Sequence, residues 1–184
     1  FGGPDNIGKF SIAKKMAGIL QCPNNYCHTC YVCKEIGRGY HADTIEMADD
    51  GESIKIETVR EILSRLHMSR QALHKILLIQ NVERMTLESA NAMLKILEDP
   101  PENVIFLFTT SNAQEVLPTI LSRVRTLYFK RVAEEDVLVL LRNLYPAALS
   151  EQLKQVSSFA LGRPGMAITF MENQAAYDAY KKMY

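Results

Sequence analysis

The chain has no surplus of either charge: 21 Lys plus Arg balance 21 Asp plus Glu, a formal net charge of zero. Such balance argues against bulk electrostatic capture of nucleic acid and leaves only a local basic patch for that role. No apolar run approaches the roughly 18 residues that cross a bilayer, so no membrane partner is expected. The sequence shows no basic start with an apolar middle, so no secretory leader is expected, and it carries no internal repeat or low-complexity segment. No cysteine lies outside residues 22–33, where all four are gathered. Nothing else in the chain points to an oxidising compartment, and a cytoplasmic location is expected.

What is present is a 47% hydrophobic chain of 184 residues, enough for one or two domains with a real core. SIAKKMAGIL places Ile12, Met16, Ile19 and Leu20 on one helical face, read as its core side. DTIEM reads as a short strand and IKIETVREILSRLHM as a helix. KILLIQ and VIFLFTT are continuous apolar runs, as strands buried on both faces require. Between them TLESANAMLKILED is a helix with Thr86 as N-cap, stopped by Pro100 and Pro101. VLPTILSRV is a short helix and RTLYFK a returning strand. Alternation of this kind predicts an α/β fold with a doubly wound parallel sheet. From Ala133 onward the pattern is helical, through EEDVLVLLRNLY, SEQLKQVSSFAL and GMAITFMENQAAYDAYKKMY. The expected division is an α/β domain over 1–131 and a small helical domain over 132–184.

GPDNIGK, Gly3 to Lys9, has the G-x4-G-K outline of a phosphate loop. In such a loop backbone N–H groups and the next helix's N-terminus cradle phosphates, and Lys9 reaches the terminal ones. The following residue should carry a hydroxyl for magnesium, yet Phe10 stands there. Ser11 is one position late and points about 100° away on a helix. A phosphate loop also follows a buried strand, of which only Phe1 is present, so the chain reads as a fragment lacking its first strand. Phosphate-loop ATPases end a second strand in carboxylates that hold magnesium and polarise water. Here that strand ends in Gln80 and Asn81, and the nearby Glu83 and Glu98 read as solvated charges.

Cys22, Cys27, Cys30 and Cys33 have the spacing C-x4-C-x2-C-x2-C. Four thiolates suit a closed, structural tetrahedral zinc site, with no open position for catalysis. Two disulfides are the alternative, but consecutive C-x2-C steps pair awkwardly. His28 and His41 read as bystanders.

Asn91-Ala92-Met93-Leu94-Lys95, Leu97-Glu98-Asp99-Pro100-Pro101 and Leu117-Pro118-Thr119-Ile120-Leu121-Ser122-Arg123 carry a resemblance that spans nearly the whole chain. The chain resembles the bacterial clamp-loader subunits of the AAA+ superfamily, the delta-prime and gamma/tau subunits of DNA polymerase III. Val124 replaces the cysteine that usually follows the arginine, and the first cysteine loop is shorter than usual in the family. The resemblance implies that Arg123 is an arginine finger offered in trans to a neighbour's ATP site, a role suited to a planar, permanently charged group. It implies that Thr110 belongs to the region sensing the terminal phosphate. It implies a lid arginine, but Gly165 falls at that position and Arg163 two residues early. It further implies a truncated helical lid and an absent C-terminal collar domain.

The expectation is a delta-prime-like subunit that is no enzyme and ATPase-defective, with structural zinc on the four cysteines. Its degenerate nucleotide site would comprise Gly3, Gly8, Lys9, Ser11 and Thr110, with ATP or ADP binding left open. Its partners would be the gamma/tau and delta subunits, the sliding clamp and, through the complex, primed DNA. Two rivals stand beside it. One is an ATP-hydrolysing gamma/tau-like subunit. The other is a zinc-bearing nucleic-acid-binding module whose patch would draw on Arg123, Arg125, Lys130 and Arg131.

Overall fold

The computed structural model describes residues 1–182, so the Met183–Tyr184 end of the expected helical pattern lies outside the described residues. The chain forms two compact units, one of Phe1–Gly2 with Phe10–Leu127, the other of Gly3–Lys9 with Tyr128 onward.

The first unit is a three-stranded parallel sheet with helices on both faces. Its strands are β1 (Thr44–Met47), β2 (Lys75–Ile79) and β3 (Val104–Phe108), in the spatial order β1-β2-β3. Thr44 pairs with Ile76, and Lys75 with Val104, in register along each ladder. Every residue of β2 is buried, as its unbroken apolar run predicts. Its side chains alternate between two cores. Ile76 and Leu78 join Ala13 and Ala17 of helix α1 (Lys9–Gln21), whereas Leu77 and Ile79 join Val59, Ile62, Met93 and Ile96 from the opposite face. Those last four belong to α3 (Ile56–His67) and α4 (Leu87–Glu98). Each fully buried aliphatic side chain contributes about 1.5–3 kcal/mol. β3 is less enclosed: only Leu107 is buried.

Three local readings need correction. The buried side of α1 is Ala13 and Ala17, one turn apart; of the expected face Leu20 packs against their cluster, whereas Ile12, Met16 and Ile19 are exposed. Small residues let the helix approach the sheet closely, and that closeness outranks the apolar stripe. RTLYFK forms no regular strand; Gly2 N–H donates to the Leu127 carbonyl at 2.9 Å, and two neighbouring residues cannot support a ladder along its length. Phe1–Gly2 also runs beside β3, with a parallel bridge between Gly2 and Thr110. The cysteine stretch, finally, contains an unforeseen helix, α2 (Tyr31–Arg38), capped by Cys30 and ended by left-handed Gly39. The Thr86 cap forms as expected, its hydroxyl accepting from Ser89 N–H at 3.2 Å.

The second unit packs α6 (Glu134–Leu144), α7 (Ser150–Phe159), α8 (Pro164–Glu172) and α9 (Gln174–Lys181) around Val137, Leu141, Leu153, Val156, Ala167, Phe170 and Tyr177. The final helical stretch is two helices. Asn173 divides them because its side chain accepts from Ala176 N–H at 3.0 Å and caps α9. The short α5 (Pro118–Leu121) belongs to the first unit.

Candidate functional site

The Gly3–Lys9 loop turns sharply into α1. Asn6 sits at φ 62° and Gly8 at φ 91°. A Cβ on Gly3 would lie 2.4 Å from the Phe129 carbonyl oxygen, so only glycine fits there. Lys9 is buried, and its ammonium donates to the carbonyls of Gly3 and Pro4, both at 2.8 Å. Phe10 packs against the Ala13, Ala17, Ile76, Leu78 and Leu107 cluster, while Ser11 is exposed. A core side chain thus occupies the position where a magnesium-holding hydroxyl is expected.

Gly165, which the resemblance sets against a lid arginine, meets this loop directly. Its N–H donates to the Asn6 carbonyl at 2.7 Å, and a Cβ there would lie 2.8 Å from the same oxygen. No side chain fits between α8 and the loop. Arg163 turns elsewhere, donating through Nη2 to the Tyr180 hydroxyl at 3.1 Å and through Nε to the Ala160 carbonyl at 3.3 Å.

At the end of β2 the two amides are engaged by a residue the sequence did not single out, Asp49. Asn81 Nδ2 donates to Asp49 Oδ2 at 2.6 Å, and Asp49 N–H donates to Gln80 Oε1 at 3.2 Å. Arg84 Nε stands 3.1 Å from Asp49 Oδ1. Thr109 is buried, its hydroxyl accepting from Asn81 N–H at 3.1 Å. Thr110 is buried as well; its N–H donates to the Phe1 carbonyl and its hydroxyl accepts from Asn112 N–H. Glu83 is not the solvated charge expected of it. Partial burial favours its neutral form, but Ser111 donates to Oε1 from its hydroxyl (2.6 Å) and its N–H (2.7 Å). These bonds outweigh the burial and hold the carboxyl below its ordinary range.

Arg123 lies just beyond α5 with its guanidinium exposed. Nη2 donates to Glu98 Oε1 at 2.5 Å, and Nη1 to the Thr119 carbonyl at 2.9 Å and the Ser122 hydroxyl at 3.2 Å. Glu98 is therefore an exposed carboxylate with a named partner. Arg123 and Thr110 both line a groove of about 310 Å³ beside β3, whose charged side chains are Arg123 and Arg125.

The four cysteines converge. Their sulfurs all lie within 4.8 Å of one another, with Cys22–Cys27 at 3.9 Å, Cys22–Cys30 at 3.7 Å and Cys27–Cys33 at 4.0 Å. No disulfide joins any of the four in this structure. Four thiolates at about 2.3 Å from one tetrahedral ion stand about 3.8 Å apart, so this arrangement could hold a metal ion. Among the described residues neither His28 nor His41 joins the cluster. Three N–H or O–H groups point at sulfurs: Asn24 N–H at Cys22, Cys33 N–H at Cys30 and the Thr29 hydroxyl at Cys27, each at 3.4 Å. The Thr29 hydroxyl and N–H hold the Cys27 thiol down at about 5, whereas desolvation pushes Cys33 up to about 12.

Comparison with solved structures shows the fold. A Thermotoga maritima RuvB variant superposes with a TM-score of 0.63 at 13% identity, covering 99% of this chain and 60% of that one. A gamma-subunit-related protein of DNA polymerase III from Thermotoga maritima superposes at 0.50 with 23% identity, covering 83% of this chain and 68% of that one. The fold is that of AAA+ proteins. The profile of a family described as "DNA polymerase III, delta subunit" matches residues 1–133, and the chain belongs to that family. It is 38% identical over 147 residues to DNA polymerase III subunit gamma of Buchnera aphidicola from Acyrthosiphon pisum, covering 76% of this chain and 40% of the relative. It is 35% identical over 142 residues to Escherichia coli subunit tau, covering 74% of this chain and 22% of the relative. The chain thus spans less than half the length of these relatives.

These relatives overturn the expectation that the chain is no enzyme. They bear the names gamma and tau, the subunits taken above as the ATP-hydrolysing members. The expectation weighed Phe10, Gln80, Asn81 and Gly165 alone. Phosphate holding rests chiefly on loop backbone N–H groups and the lysine, and that loop and Lys9 are retained.

Proposed function

We propose that this chain is a subunit of the DNA polymerase III clamp loader, delta-prime-like in its loop and lid, that helps place the sliding clamp on primed DNA. It works in the cytoplasm beside gamma/tau and delta subunits and offers Arg123 to a neighbour's ATP site. The observation that carries this reading is the exposed Arg123 guanidinium at the end of LPTILSR, inside the family-matched residues 1–133. A guanidinium there can form bidentate bonds to a transferring phosphoryl group. The delta-prime resemblance is supported by the core placement of Phe10 and by the tight contact of Gly165 with Asn6.

Cys22, Cys27, Cys30 and Cys33 would hold zinc, which fills a closed thiolate site and supplies structural stability. Residues 1–131 form the nucleotide-binding-like domain on this reading and 132–184 the lid. The candidate nucleotide contacts remain Gly3, Gly8, Lys9, Ser11 and Thr110. The names of the relatives favour a second reading, an ATP-hydrolysing gamma/tau-like subunit.

The test uses the full-length protein rebuilt into the loader with its partner subunits. DNA- and clamp-stimulated ATP hydrolysis is measured for Arg123→Ala and Lys9→Ala. Loss of an arginine finger lowers the rate by about tenfold or more. An unchanged rate for Arg123→Ala removes the trans role. A rate lost chiefly through Lys9→Ala selects the gamma/tau-like reading.

A further inference from the structure

We propose that the Tyr26 ring, seated on the bare backbone of Gly18, is the positioning element that lets the short first loop bring Cys22 and Cys27 to one metal ion. The inference rests on the metal reading of the four cysteines. Gly18 lies inside α1 (Lys9–Gln21), where glycine is disfavoured relative to alanine. A Cβ on Gly18 would meet Tyr26 Cδ2 at 2.3 Å, Cε2 at 2.5 Å and Cγ at 2.8 Å. Cγ is the root of the ring, so turning the ring about its own axis cannot clear the clash.

The loop has reason to need such a seat. Asn25 (φ 50°), Tyr26 (φ 59°) and His28 (φ 61°) are left-handed without being glycine. Conformations of that kind are strained for residues with a side chain and persist only where surroundings enforce them. Two contacts do so: the Tyr26 ring on Gly18, and the Tyr26–His28 ring pair with centroids 4.1 Å apart. Cys22 directly follows the end of α1, and Cys27 directly follows Tyr26. The seat therefore ties both cysteines to one helix and leaves their sulfurs 3.9 Å apart. A methyl group at residue 18 displaces the ring, and with it the Cys27 sulfur.

The test is cobalt(II) titration of the full chain, following the thiolate-to-cobalt charge-transfer band, with far-ultraviolet circular dichroism alongside. Gly18→Ala weakens cobalt binding by about 10–100-fold, the range for residues that orient metal ligands, while helix signal is retained. Tyr26→Ala also weakens binding, and the double variant is no weaker than Tyr26→Ala alone. Gly37→Ala, in α2 with nothing within 4 Å of the added carbon, binds as the parent does. Parent-like binding by Gly18→Ala, or losses that add in the double variant, overturn the seat. If Gly18→Ala loses helix signal, Tyr26→Ala decides, since it leaves α1 unchanged, and parent-like binding there overturns the seat. A parent without the charge-transfer band overturns the metal reading itself.

Discussion

Arg123 and Glu98 join the end of α5 to the end of α4 through one 2.5 Å contact, the carboxylate coming from LEDPP and the guanidinium from LPTILSR. Two segments that carried the family resemblance separately are thus one charged surface feature. The side chains are 32% and 54% exposed, so the pair contributes at most about 1 kcal/mol and weakens in salt. Glu98→Gln should lower stability by less than about 1 kcal/mol, with the difference vanishing at high salt. Urea unfolding at two ionic strengths checks this; a large, salt-independent loss would mean that the pair is a structural strut.

Gly165 is held by contact with the Asn6 carbonyl. Gly165→Ala should destabilise by about 1–3 kcal/mol, as overpacking a close approach does, despite alanine's better helix propensity. A shift of the urea midpoint to lower concentration, without a change in slope, is the expected signature. A stabilised variant would show that α8 and the loop have room to separate.

Asp43 and Lys75 are both buried, their charges 3.9 Å apart. Lys75 donates to the carbonyls of Arg65 (2.8 Å) and Met68 (2.6 Å), closing the end of α3. Asp43 Oδ2 accepts from Gln71 and Ala72 N–H, both at 2.7 Å. Removing one partner strands the other charge, so Lys75→Met should cost about 3–5 kcal/mol. Chemical denaturation at neutral pH measures it, and a loss below about 1 kcal/mol would show that water reaches Asp43.

Glu83 gives a pH dependence with a definite sign. Its folded carboxyl lies below its ordinary value because the Ser111 bonds outweigh burial. Its contribution is therefore full above the unfolded value of about 4.3 and is lost as pH falls through the lower folded value. Ser111→Ala removes one donor and should flatten that acid loss. Urea midpoints at neutral and acid pH, compared between parent and variant, show it; equal acid losses would mean Glu83 is not the group responsible.

Much of the fold was legible because β2 and the helices around it obey local rules. Ile76 to Ile79 form an apolar run that only a buried parallel strand accommodates, and Thr86 and Pro100 mark the ends of α4. The failures are long-range. Ile12, Met16 and Ile19 looked like a core stripe, but the packed side of α1 is set by how closely Ala13 and Ala17 approach the sheet. The four cysteines were readable from spacing alone, as four ligand-type residues within a dozen positions admit few uses. Asp49 was not readable, because its link to Asn81 joins residues far apart in the chain. Gly18 carried a signal that was present but unused: a glycine inside a helix is costly, and this one marks a place where a ring packs too closely for a side chain.

Chelation is the sharpest test of the proposal that the cysteine cluster holds zinc. Cys22 directly follows α1 and Cys33 lies in α2, both buried, so an ion on the four sulfurs would tie the two helices together. Zinc bound to the folded form alone adds RT ln(1 + [L]/Kd) to stability, about 4 kcal/mol at a thousandfold excess over Kd. A chelator should therefore lower the melting temperature of the full chain, and added zinc should restore it. Cys30→Ser should abolish both responses, because a hydroxyl stays protonated where a thiolate is needed. The apo protein should keep the helical signal of α6–α9, whose core of Val137, Leu141, Leu153, Val156 and Phe170 contains no cysteine. A melting temperature unmoved by chelator in a zinc-loaded sample would mean that the metal contributes nothing to this fold.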